Sequence, residues 1–174
     1  ALYRAQTLLL QALRDPYAKQ PQARAWASYL FRVISLAHEH YRDTELDLRK
    51  ADICFIFLHS RFMRIHGCFK SRSDLLNIVD TWKDVVLNTC SMALSIFVDN
   101  QIAKICTVDT NSEQLISMFC SHAVECLYAF LSRTLLHQTH TPSGSIQSWE
   151  AMSQRLENLY SKLCFVSESL ASVG

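Results

Sequence analysis

Only six residues that readily punctuate a chain serve all 174 positions here, three glycines and three prolines. A β-sandwich or barrel needs Gly, Pro or Asn-Gly at nearly every hairpin, so this scarcity argues against one. It equally argues against a collagen-like or linker-rich chain. What remains is a few long elements. With 49% apolar residues the chain is too hydrophobic for disorder, and its length suits one domain with a real core. The expected fold class is all-α: a single domain over residues 1–174, with about six mostly long helices in a bundle or an irregular two-layer helical array. The opening Ala1-Leu2-Tyr3 already sits in a helical pattern, and the domain is expected to belong to a longer chain.

The hydrophobic period places the helices. Leu2, Leu9 and Leu13 share one side of a first helix that stops at Asp15-Pro16, because the residue before proline avoids the helical region. Pro21 suits the first turn of a second helix with Trp26, Leu30, Val33, Ile34, Ala37 and Tyr41 on its apolar face. Thr44 and Asp47 resemble a capping box and open a third helix over 44–66, with Gly67 as its C-terminal cap. A fourth helix is expected over 74–98, capped by Ser71 or Ser73, and a fifth over 112–137. Leu115, Met118, Phe119, Ala123, Cys126, Leu127, Phe130 and Leu131 form the apolar face of the fifth. A loop at 138–145 leads to a sixth helix over 146–170, and no tetratricopeptide pattern recurs.

The third helix is apolar on nearly every side between Ile53 and Ile65, which predicts a central element contacted from several directions. Phe55, Leu58 and Phe62 are its expected core residues. A short buried strand at 53–58 is the competing assignment, and no partner strand is visible for it.

Seven cysteines, an odd number and mostly inside apolar runs, read as reduced thiols of an intracellular protein, in cytoplasm or nucleus. No uninterrupted apolar run approaches the ~18 residues of a membrane span, so no membrane contact is expected.

Little chemistry announces itself. Cys120, His122 and Cys126 form the best local set of metal ligands, with His66, Cys68, His137 and His140 as distant additions. Structural zinc favours close pairs such as C-x2-C, and none is present. No nucleophile elbow and no glycine-rich phosphate loop occur. No catalytic residue, no metal ligand and no cofactor is therefore expected, and the chain is not expected to be an enzyme.

Charge is more suggestive. Residues 1–72 carry twelve Lys/Arg against six Asp/Glu, whereas 73–174 carry five against ten. The most concentrated cations are Arg61, Arg64, Lys70 and Arg72, expected at one polar edge of the third helix and the turn after it. They are the candidate partner-binding residues, unless Asp80, Asp84 or Glu113 of the acidic half already meets them. The expected function is a protein–protein interaction or scaffolding domain of a larger intracellular assembly, its partner another protein, acidic or helical. The alternatives are a nucleic-acid-associated domain using the basic 1–72 half and a ligand-sensing domain with an apolar pocket.

Overall fold

The computed structural model describes residues 2–40, 49–70, 74–102 and 111–138, together with positions 150, 153, 154, 157 and 161. Five α-helices run through the continuous stretches, and no strand occurs among the described residues. They are α1 (Leu2–Leu13), α2 (Gln20–His40), α3 (Lys50–Phe69), α4 (Leu75–Ala93) and α5 (Asn111–Gln138). The all-α expectation holds, and the 53–58 segment is helical rather than a strand. Of the expected sixth helix only the isolated positions are described, all helical. The capping pair Thr44 and Asp47 and the caps Ser71 and Ser73 lie outside the described residues.

Helices α1 and α2 form an antiparallel hairpin around Leu13, Ala23, Ala27, Leu30, Phe31 and Ile34, all buried. Its connection is a tight turn in which the Tyr17 N–H donates to Asp15 Oδ1 at 2.9 Å. Pro21 stands in the first turn of α2, where its missing N–H has no helical partner to lose. At the start of α3 the Asp52 carboxylate accepts from the Arg49 N–H at 2.9 Å. Asp74, not a serine, caps α4: its Oδ1 accepts from the Asn77 N–H at 2.8 Å.

Helix α4 ends in a π-helical turn, Leu94–Val98, closed by a hydrogen bond from the Asp99 N–H to the Leu94 carbonyl at 2.9 Å. The wider turn inserts one residue into the helical phase. Ile96, Phe97 and Val98 are consequently buried in succession. The Phe97 ring meets Phe31 of α2 edge-on at 6.1 Å and Phe57 of α3 at 5.6 Å. Just beyond, Asn100 is 3% exposed and donates to Ser28 Oγ of α2 at 3.0 Å. This end of α4 therefore joins the α1–α2 hairpin to the other helices.

Helices α3, α4 and α5 pack against one another. Phe62 lies 6.1 Å from Phe119, and Phe69 stacks on Phe130 at 4.7 Å, so α3 and α5 run parallel. Residues 53, 54, 57, 58, 61, 65 and 68 of α3 face inward. Its opposite face does not: Phe55 is 58% exposed and Met63 is 61% exposed. The expectation that Phe55 is core is thus corrected, while Leu58 is buried and Phe62 half-buried. An all-round apolar helix needs neighbours on all sides to be fully buried, and the bundle covers only part of this one.

Gly67 is not a cap. Helix α3 runs on to Phe69, the described glycine has no positive φ, and a Cβ placed on it would meet nothing within 4 Å. The stretch Asn111–Thr134 of α5 is long and apolar enough, by length and composition, to cross a membrane. An expectation built on uninterrupted runs misses this, because mean hydropathy tolerates interspersed Ser, Thr and His. In the fold, Ile116, Phe119, Ala123, Leu127 and Leu131 of this stretch are core residues.

Candidate functional site

The parallel course of α3 and α5 leaves a long apolar groove between them on the outer side of the bundle. Phe55, Leu58, His59 and Phe62 line one wall, and Leu115, Met118, Phe119 and His122 the other. Its volume is about 390 Å³. A more polar continuation reaches Ala51, Asp52, Asn111 and Gln114 at the N-terminal ends of both helices. From residue 51 to residue 62 a helix advances roughly 16 Å at ~1.5 Å per residue, or about three turns.

Rings shape the floor and walls. His122 stacks on Phe62 at 4.9 Å, while His66 approaches the same phenyl edge-on at 5.0 Å. His59 stacks on Phe55 at 5.9 Å. His122 Nδ1 also lies 3.3 Å from Glu125 Oε2 at the rim. Two large side chains stand open to solvent here, Phe55 at 58% and Met118 at 62% exposed. Methionine adapts its shape to varied apolar partners at little cost. The sequence placed Met118 on the inner face of α5. The buried stripe instead follows 112, 116, 119, 123, 127 and 131, which turns position 118 outward.

The expected basic surface takes a different form. Arg61 is 1% exposed. Its Nη1 donates to the Pro16 carbonyl at 3.3 Å and its Nη2 to the Ala18 carbonyl at 3.0 Å. The guanidinium also lies over the Phe57 ring at 4.5 Å. Burial, reinforced by the charge of Arg64 and opposed by Asp15, pushes its pKa down to about 10, so it is still a cation at neutral pH. Arg64 is half-buried, donates to the Pro16 carbonyl at 3.2 Å and lies over the Tyr17 ring at 4.9 Å. Both arginines thus bind the α1–α2 turn to α3. Lys70 is exposed at the end of α3, and Arg72 lies outside the described residues.

Arg61 is therefore an interior residue, which corrects its placement on a polar edge. The signal was present in the spacing. Positions 53, 57, 61 and 65 recur every four residues, so Arg61 shares a face with Ile53, Phe57 and Ile65. Among the described residues no acidic side chain of the second half supplies its hydrogen bonds; backbone carbonyls of the turn do. Asp80 instead pairs with Lys83 at 3.2 Å. The exposed cations of the basic half include Arg4, Arg14, Lys19, Arg24 and Arg32, on α1, α2 and the turn between them.

The candidate metal ligands disperse. Cys120 faces Cys90 of α4, His122 turns to Phe62 and Glu125, and Cys68 Sγ donates to the Arg64 carbonyl at 3.3 Å. Among the described residues no three His, Cys, Asp or Glu side chains gather as a metal site would require. The side chains of His137 and His140 are outside the described set. The chain matches no family model, no curated protein and no solved structure.

Proposed function

We propose that this chain is a non-enzymatic protein–protein interaction domain whose α3–α5 groove receives an amphipathic helix of a partner protein. One observation carries the reading: Phe55 and Met118, both more than half exposed, flank an apolar groove that, with its more polar continuation, is about three helical turns long. A helix laid in such a groove would seat apolar side chains at i, i+3 or i+4, and i+7. Its central contacts would fall on Phe55, Phe62 and Met118, since aromatic and Met side chains dominate the cores of interfaces. The polar rim would comprise Asp52, His59, Gln114 and His122. A scaffolding role in an intracellular assembly is part of the same proposal.

The test uses the full chain and a displayed library of amphipathic helical peptides. Peptides selected on the wild type should bind Phe55→Asp and Met118→Asp at least tenfold more weakly. Tyr29→Asp, at an equally exposed position on α2, should leave them unchanged. Selected peptides that bind all three variants equally well would place the interaction elsewhere and overturn the proposal.

A further inference from the structure

Helices α4 and α5 meet at a pair of thiols. Cys90 Sγ lies 3.1 Å from Cys120 Sγ, closer than two unbonded sulfurs normally approach without a hydrogen bond between them. Cys90 is 1% exposed and belongs to the α4 core stripe with Val86 and Ala93. Cys120 is half-buried, one position beyond Phe119. The two residues therefore differ in exposure: Cys120 is partly open to solvent, and Cys90 is not. This is the arrangement of an attacking and a resolving cysteine.

We propose that Cys90 and Cys120 form an oxidation site, at which a hydroperoxide converts the facing thiols into a disulfide joining α4 to α5. In the first step the Cys120 thiolate attacks a peroxide oxygen. The O–O bond breaks, and the departing hydroxide leaves as water with a proton from solvent, giving Cys120 sulfenic acid. In the second step Cys90 Sγ attacks Cys120 Sγ. The S–O bond breaks, and the hydroxide leaves as water with the Cys90 proton. In total two thiols and one hydrogen peroxide become one disulfide and two waters, the sulfurs losing the two electrons that the peroxide gains.

Two features support this order. The hydrogen bond with Cys90 holds the Cys120 pKa below the ordinary thiol range, while the same bond and burial push Cys90 up. A disulfide needs its sulfurs about 2.05 Å apart, so the 3.1 Å pair has roughly an ångström to close. None of this depends on the α3–α5 groove.

The experiment treats the full chain with stepwise hydrogen peroxide, quenches with an alkylating reagent and maps the cysteine peptides without reduction. The seven thiols should fall to five before any further loss, with Cys90 linked to Cys120 within a monomer and recovered as free thiols on reduction. The oxidised chain should melt about 7–15 °C higher, as expected for a cross-link of this span. In Cys90→Ser the sulfenic acid should persist on Cys120 and be captured by dimedone. A Cys120 that is oxidised to the sulfinic acid without linking, or that stays reduced while Cys126 reacts, would overturn the proposal. The peptide map is read on the wild type, so it decides the question even if the Cys90→Ser chain fails to fold.

Discussion

Nη2 of Arg61, from the middle of α3, donates to the backbone carbonyl of Ala18 at 3.0 Å, so a buried cation fastens the turn between α1 and α2. The bond crosses 43 positions of sequence and joins the hairpin to the rest of the bundle. A second donor from the same guanidinium reaches Pro16, while its Nε is buried with no partner among the described residues.

Reversing this charge should therefore damage the fold. Arg61→Glu puts an anion among backbone carbonyls and removes both donors, and should destabilise by more than about 3 kcal/mol. Arg61→Met keeps much of the volume but orphans the carbonyls, at a cost of about 1–3 kcal/mol. Arg64→Glu, on a half-buried residue with one such bond, should cost less than Arg61→Glu. Urea unfolding of the three variants checks the ranking. Equal and negligible losses would mean that the turn is held by something else.

Two phenylalanines two positions apart in α3 should behave in opposite ways. Phe57 is fully buried against Phe97, and Phe57→Ala should cost about 3–5 kcal/mol. Phe55 is mostly in solvent, so Phe55→Ala should cost under about 1 kcal/mol. Paired thermal melts separate the two, and a large loss from Phe55→Ala would assign it to the core after all.

Gly67→Ala should stabilise the chain. The residue sits inside the last turn of α3 with helical backbone, and its added methyl has open space. Replacing a helical glycine removes backbone freedom from the unfolded state and should gain about 0.5–1 kcal/mol. Were Gly67 a left-handed cap, the same change would destabilise, so the sign of the shift in urea midpoint is the readout.

Cysteine alkylation should separate by pH. The thiolate is the reactive species. Cys120 has its pKa lowered by its hydrogen bond with Cys90, so its labelling should reach half-maximum below the ordinary thiol range. Burial, and then the charge of Glu125, raise Cys126, whose labelling should need more alkaline solution. Peptide mapping after iodoacetamide pulses at stepped pH gives both curves. A reversed order would remove the assignment of Cys120 as the more acidic, attacking thiol.

Much of the fold was written in local pattern. Scarce glycine and proline, with apolar residues every three or four positions, determine helices and little else, and the observed α1, α2, α4 and α5 begin and end near where that pattern places them. Period alone also fixes which residues share a face, which is why Phe57, Arg61 and Ile65 lie together in the interior. The tertiary structure decided which faces were covered. Position 55 is as apolar as position 57, but only position 57 meets a neighbouring helix across the core, and no local signal records where that neighbour will pass. The same holds for Cys90 and Cys120, thirty positions apart and brought face to face by the crossing of α4 and α5. Likewise, the groove exists because α3 and α5 lie side by side, a relation set by which buried surfaces fit together rather than by either helix alone.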